Sequence, residues 1–224
     1  MATISVENFT DAGCPFAFSA EPRLLALRWR FGDQLRWVPR MIVLSEESAG
    51  SRGEFTPERL QAGFRHLREE WGMPIDDALR PYLAATLPVA LAVVATRQYA
   101  PERADAVLRA LRVEYMAARG QLDDPGLILR AGAIGGVDPA DLEAWLADPD
   151  VMIRLRADMA AARDPHPAAT AQRHKLAAHG DDDATLHAAL AAADTACEPL
   201  ALRALTHAAN LAADRALPCS FTRP

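Results

Sequence analysis

The sequence predicts an α/β fold in which a mostly helical layer follows the second strand, and three observations support this. A strand-like run leads into a cysteine-proline turn at Cys14 and Pro15, and a helix starts there. A second strand-like run ends near residue 44. From Thr56 onward, helix start signals recur. Strands separated by a helix and followed by further helices are typical of α/β domains.

The first strand is predicted from residues 4–9, where apolar and polar side chains alternate with period two. Pro15 suits the first helical position, because the donor it lacks would have no partner there. A cysteine at a helix N-terminus lies beside unpaired N–H groups and the positive end of the helix dipole, which favour thiolate over thiol. Cys14 is therefore a candidate nucleophile. The alternative is an inert buried thiol, since free cysteine is among the most buried residue types.

The neighbours of Cys14 have simpler interpretations. Phe16 is predicted to pack under or beside the cysteine rather than face a substrate. Asp11 is predicted to make an Asx-type hydrogen bond within the turn, with tuning of the thiol as the alternative.

The second half of the strand–helix–strand unit is predicted from residues 24–44. An apolar stripe of leucines and Trp29 stops near Gly32, which is a helix C-terminal signal. Residues 35–38, continuing through 41–44, are typical of a strand, and Pro39 indicates an edge or a bulge. A crossover helix between two strands implies a parallel pair, and such sheets carry their chemistry at the carboxyl ends. Trp29 and Trp37 are interpreted as core residues.

Helices dominate the chain after residue 55. An N-cap residue precedes proline at Thr56, Asp124, Asp138 and Asp148, and each pair predicts a helix start. Residues 87–94 are apolar on every side and are predicted to form the buried centre of the helical layer. The following helix has an apolar face made by Leu108, Leu111, Tyr115 and Met116. Residues 132–136, which are rich in glycine, are interpreted as a flexible connection.

The Cys14-Pro15-Phe16-Ala17 turn after the first strand resembles the DsbA-like branch of the thioredoxin superfamily, which has Cys-Pro-aromatic-Cys at this place. Residues 114–116, 120–121 and 122–129 are similar to the late insertion helices of that branch, and the resemblance covers roughly residues 3–165. It implies a thioredoxin-like fold with an inserted helical domain. Residues 1–50 would form the first half of the thioredoxin-like domain, 51–150 the insertion and 151–224 a divergent remainder.

The chain departs from the family pattern at position 17, where alanine replaces the second cysteine. Cys14 therefore has no partner for a disulfide within the turn. The resemblance then implies a thiol-disulfide oxidoreductase that works through one thiol, at a site made of Cys14, Pro15, Phe16 and Ala17. Related 2-hydroxychromene-2-carboxylate isomerases and kappa-class glutathione transferases have a Ser-Pro-aromatic turn here, so a thiol-dependent isomerase or transferase is an alternative. A non-catalytic interaction module is another.

The second departure concerns the C-terminal part of the sheet. The family has a cis-proline that packs against the cysteine, followed by two strands, and Pro218 is the candidate for that proline in this sequence. The run from Ala184 to Ala216 is rich in alanine and favours helix instead. Cys197 and Cys219 are candidates to resolve a mixed disulfide with Cys14, with inert buried thiols as the alternative.

Composition limits the partners. A net charge of -6 argues against nucleic acid, and no apolar run is long enough for a membrane helix. The first ten residues lack a secretory pattern, and the chain has 3 scattered cysteines, so a cytoplasmic protein is expected. No metal site is predicted from His166, His174, His179 and His187, whose spacing matches no compact motif. We expect no tightly bound cofactor. The partner would be a small thiol such as glutathione or mycothiol, or a disulfide-containing protein. The sequence is also compatible with a homodimer.

Overall fold

A computed structural model describes residues 4–163, apart from the side chains of Ile4 and Trp71. The described residues belong to two compact units, one made of residues 4–8 and 20–38 and the other of residues 9–19 and 39–163. The domain boundaries at residues 50 and 150 that the sequence suggested stay a prediction. Pro218, Cys197, Cys219 and the histidines from His166 onward lie outside the described residues.

The chain begins with the strand–turn–helix–strand order that the sequence predicted: β1 (Ile4–Thr10), α1 (Pro15–Ser19), α2 (Glu21–Phe31) and β2 (Leu35–Met41). β1 and β2 are neighbours in one sheet. The Ile42 N–H donates to the Thr10 carbonyl oxygen at 2.9 Å, which places the carboxyl ends of both strands side by side. The strands therefore run parallel.

β2 ends three residues earlier than the predicted limit at Leu44. The Leu44 N–H donates to the carboxylate of Asp11 at 2.9 Å and to the hydroxyl of Thr86 at 3.1 Å. Because its donor is bound by side chains, Leu44 does not extend the strand ladder.

α2 in the first unit confirms the predicted helix, and its end at Gly32 has a positive φ of 48°. The core interpretation of Trp29 is wrong, since this side chain is 91% exposed. Leu24, Leu27 and Arg28 form the half-buried side of α2. Each residue turns the helix by about 100°, so Trp29 lies away from that side. Trp37 is half-buried, with the Arg28 guanidinium 5.0 Å from its ring centre.

The second unit contains the remaining helices: α3 (Pro57–Trp71), α4 (Leu87–Tyr99), α5 (Ala104–Met116), α6 (Pro125–Ile134), α7 (Pro139–Leu146) and α8 (Pro149–Arg163). All four predicted cap-proline starts are confirmed, at α3, α6, α7 and α8. At each start the cap side chain accepts a backbone N–H from two or three residues further on, at 2.8 to 3.3 Å. Local capping chemistry thus sets where these helices begin.

α4 is the buried centre of the second unit, as the sequence predicted. Residues 89, 90 and 92–96 are buried, and the helix packs against α5, α7 and α8. The apolar face of α5 is confirmed too, because Leu108, Leu111, Tyr115 and Met116 are all buried. Within residues 4–163, no helix combines the length and the apolar character that crossing a bilayer requires.

The flexible connection expected at residues 132–136 is wrong for its first part, because α6 continues to Ile134. Gly132 is buried inside this helix, and a Cβ added there would lie 2.6 Å from Cδ2 of Leu142. The glycine therefore lets α7 approach α6 closely. The turn itself is confined to the residues around Gly136, whose φ is +86°.

Candidate active site

The cysteine turn lies at the carboxyl end of β1, directly before α1. The Cys14 N–H donates to the Asp11 carbonyl oxygen at 3.3 Å, and the Cys14 carbonyl oxygen accepts from Phe18 N–H at 3.1 Å. Pro15 is the first residue of α1, as predicted. Cys14 is half-buried and has a free thiol. The alternative of a fully buried cysteine does not hold in this structure.

Asp11, which precedes the cysteine turn, is buried, with 1% of its surface exposed. Its carboxylate accepts the Gly13 N–H at 2.6 Å, the Leu44 N–H at 2.9 Å and the Thr86 hydroxyl at 2.7 Å. The first of these is the Asx-type contact that the sequence predicted. The other two join the cysteine turn to the segment after β2 and to the start of α4.

Burial raises the pKa of the Asp11 carboxyl group, because an ionised carboxylate loses its hydration there. The hydrogen bonds from Thr86, Leu44 and Gly13 oppose this by lowering the pKa, as does the charge of Arg112. Arg112 is itself buried and donates to the Thr10 hydroxyl. Burial is the largest of these influences, so the net shift of the Asp11 pKa is upward despite the three donors.

Thr86 precedes α4 but does not cap it in the usual way. Its hydroxyl makes no capping hydrogen bond to the helix. It donates to Asp11 and accepts from the backbone N–H of Leu44 and Ser45, at 3.1 and 3.2 Å. Because the methyl group of Thr86 would lie 2.9 Å from a Cβ built on Gly13, only glycine fits this part of the turn without a shift.

A cavity of about 510 Å³ opens beside the cysteine turn, and Gly13 and Pro15, the two neighbours of Cys14, line it. Most of its other walls are aromatic or aliphatic: Phe16, Phe55, Phe64, Tyr115, Leu44, Leu60, Leu67 and Leu83. Two of the aromatic walls, Phe64 and Tyr115, meet edge to face with 6.1 Å between ring centres. Cavities of about 300 to 1,000 Å³ with such walls are typical of small-molecule sites.

The charged side chains that line the cavity are Arg52 and Arg59, and no aspartate or glutamate of the described residues is among its lining, which also includes His66. Arg52 is half-buried; its Nη2 donates to the Ser45 hydroxyl and to backbone carbonyls, including that of Leu83 at 3.2 Å. Burial raises the pKa of Tyr115, so its phenol stays neutral at physiological pH. The cavity therefore presents cations and neutral groups.

Cys14 directly precedes α1, and Pro15, Phe16 and Ala17 are the first three residues of that helix; Pro15 and Phe16 also line the cavity. Phe16 corrects one expectation: it is 55% exposed and lines the cavity, so it does not pack under the cysteine. None of the five residues of α1 is buried. Pro218, the candidate for the cis-proline, is outside the described residues, and residues 4–163 contain no cis peptide bond.

Sequence reasoning missed Arg52 and Thr86. Arg52 forms an isolated antiparallel bridge with Phe55 in an irregular segment, where no periodicity marks it. Thr86 does stand before Leu87-Pro88, which repeats the cap-proline pattern with one residue between, and this signal could have drawn attention to it. Among residues 4–163, no group of three histidine, cysteine, aspartate or glutamate side chains is placed to hold a metal ion.

Comparison with known proteins identifies the family. The model of the DSBA-like thioredoxin domain matches residues 5–166, and the chain therefore belongs to that family. Membership supports activity of the thiol-disulfide oxidoreductase kind. No curated protein matches the sequence significantly.

Solved structures share the fold. A probable DsbA oxidoreductase from Streptomyces coelicolor is 19% identical with a TM-score of 0.57, over 71% of this chain and 74% of that one. The cytosolic disulfide reductase DsbM from Pseudomonas aeruginosa is 21% identical with a TM-score of 0.55, over 80% and 86% of the two chains. The structure of the same reductase with GSH is 20% identical with a TM-score of 0.54, over 79% of this chain and 83% of that one.

Proposed function

We propose that this protein is a cytoplasmic disulfide reductase that works through the single thiol of Cys14. The main support for this proposal is the position of Cys14. It is half-buried directly before α1, and the residues on either side of it line a cavity. The family supports thiol-disulfide chemistry, and the similar fold of a cytosolic reductase supports the compartment. The catalytic role of Cys14, with Pro15, Phe16 and Ala17 completing the turn, is part of this proposal.

The reaction needs a second thiol, because Ala17 cannot supply one. The Cys14 thiolate attacks one sulfur of the substrate disulfide; a new S–S bond forms to Cys14, and the other sulfur leaves as a thiolate that takes up a proton. A low-molecular-weight thiolate such as glutathione or mycothiol then attacks the substrate sulfur bound to Cys14. This releases the Cys14 thiolate and a mixed disulfide. One substrate disulfide and one small thiol thus become one substrate thiol and one mixed disulfide.

The test is the reduction of a small disulfide by glutathione, followed with the full chain. We expect Cys14→Ser to lower the rate to that of the uncatalysed exchange, because the attacking sulfur is gone. The matched control is the double variant Cys197→Ser with Cys219→Ser, which should keep the rate. If the control variant loses activity while Cys14→Ser retains it, the proposed role of Cys14 is wrong.

The apolar cavity beside the turn favours a second candidate, a thiol-dependent isomerase or transferase in which glutathione binds at the turn without being oxidised. Calorimetric titration with glutathione, combined with a measurement of the mixed disulfide between glutathione and the substrate after turnover, separates the two. Saturable binding without formation of a disulfide product would favour the second candidate.

A further inference from the structure

The cavity beside the cysteine turn combines apolar walls with an excess of positive charge. Its lining includes Arg52 and Arg59 and no carboxylate of the described residues, although the chain as a whole carries a net charge of -6. Such a local excess of cations on an acidic protein is a feature of this cavity and not of the average surface. The cavity is therefore expected to favour negatively charged ligands over neutral or positively charged ones.

Arg52 is the residue best placed to recognise an anion. The hydrogen-bond acceptors found for it in residues 4–163 are neutral: the Ser45 hydroxyl and the backbone carbonyls of Glu47, Leu83 and Ala84. All four contacts use Nη2, so the guanidinium is anchored at one nitrogen and its charge is not balanced by a carboxylate in the described part of the chain. An anchored guanidinium can bind a carboxylate with little loss of side-chain freedom.

Arg59 adds a second cation at the exposed rim. Its Nη1 lies 3.5 Å from Oε2 of Glu54, and both side chains of this ion pair are largely exposed. Exposed pairs of this kind contribute little energy, so Arg59 is free to attract an anion toward the cavity. His66 lies on the same helix, α3, and is also exposed.

We propose that the cavity binds a small organic anion with an aromatic or branched apolar body, that Arg52 holds its carboxylate, and that such anionic disulfides are the substrates of Cys14. The last clause rests on the proposed function; the binding itself does not. The volume of about 510 Å³ accommodates a ligand of that size. Because Gly13 and Pro15 both line the cavity, a ligand bound there lies beside the cysteine turn.

The experiment compares two aromatic disulfides, the dianionic dithiobis(nitrobenzoate) and the neutral dithiodipyridine. The full chain carries Cys197→Ser and Cys219→Ser, so that Cys14 is the reacting thiol. In this background Arg52→Gln should lower the rate constant for the anionic disulfide about tenfold, since one charge-assisted contact is lost. The rate constant for the neutral disulfide should change by less than about twofold.

Two further variants serve as controls. Arg130→Gln removes the same charge from α6, where the side chain is exposed and outside the cavity lining, and should leave both rates unchanged. Arg59→Gln should lower the rate for the anion by a smaller factor than Arg52→Gln does. Because Arg52 also holds backbone carbonyls, Arg59→Gln keeps the proposal testable if Arg52→Gln does not fold.

Binding is measured separately by calorimetry with phenylpropionate and with its neutral amide, using Cys14→Ser. Saturable binding of the acid alone, weakened by Arg52→Gln, supports the proposal. An equal effect of Arg52→Gln on the rate constants for the anionic and the neutral disulfide, or equal binding of acid and amide, would overturn it. If neither disulfide reacts faster with Cys14 than with free cysteine while the acid still binds, the proposed function fails and the anion site remains.

Discussion

Asp11 is the residue on which the geometry of the cysteine turn depends most. Its carboxylate accepts donors from three places in the chain, on Gly13, Leu44 and Thr86. A buried donor that loses its acceptor costs more than an ordinary hydrogen bond contributes, because it has also lost water. Only the Gly13 contact is local, and only this contact could be predicted from the sequence. The other two partners are 33 and 75 residues away.

Asp11→Ala should lower the free energy of unfolding by about 3 kcal/mol, since three donors lose their acceptor together. The matched control is Asp124→Ala, which removes a similar contact to Gly126 N–H at an exposed helix start and should cost about 1 kcal/mol. Urea denaturation of both variants measures the difference. Equal losses would mean that the long-range partners of Asp11 contribute nothing.

At the scale of helices and strands, local sequence patterns predict where an element begins better than where it ends. Each helix start with a cap residue directly followed by proline lies where the sequence predicted it, because the capping contacts span only two or three residues. The end of β2 and the continuation of α6 through Gly132 were mispredicted. Both depend on partners that are distant in sequence or on another helix: Asp11 and Thr86 for β2, and Leu142 for α6.

Gly132→Ala should destabilise the protein by about 2 kcal/mol, because the new methyl group overlaps Leu142 where α6 meets α7. Gly63→Ala, the comparison, lies within α3, and its added Cβ would meet no atom within 4 Å. That substitution should stabilise the protein by about 1 kcal/mol through helix propensity. Thermal and urea unfolding of the two variants should therefore shift in opposite directions, and a shared sign would refute the packing argument.

At the scale of the whole molecule, Asp158 joins elements that are far apart in sequence within the second unit. This fully buried carboxylate accepts from Arg40 at 2.8 Å, from Arg97 at 2.6 Å and from the Met41 N–H at 2.9 Å. The sequence separations are 118, 61 and 117 residues. α8 is thereby bonded to the end of β2 and to α4, at a cluster that includes no residue of the cavity lining.

Asp158→Ala should lower the free energy of unfolding by about 4 kcal/mol, because two arginines lose their buried counter-ion. Asp150→Ala, on the same helix but exposed in its first turn, should cost less than about 1 kcal/mol. Below its unfolding transition, Asp158→Ala should keep the thiol-exchange rate of Cys14. A selective loss of that rate, with folding intact, would contradict a purely structural role for Asp158.

The sequence alone determined the parallel strand pair around Cys14, the helix starts and the buried centre on α4, since alternation, capping and helical periodicity act over a few residues. The tertiary structure decided the rest: the exposure of Phe16 and Trp29, the convergence of Leu44 and Thr86 on Asp11, and the cavity with Arg52 in its lining. These features arise where segments dozens of residues apart meet. Local sequence patterns do not predict these long-range contacts, because the contacts are stabilised by burial and by partners that come together only in the folded chain.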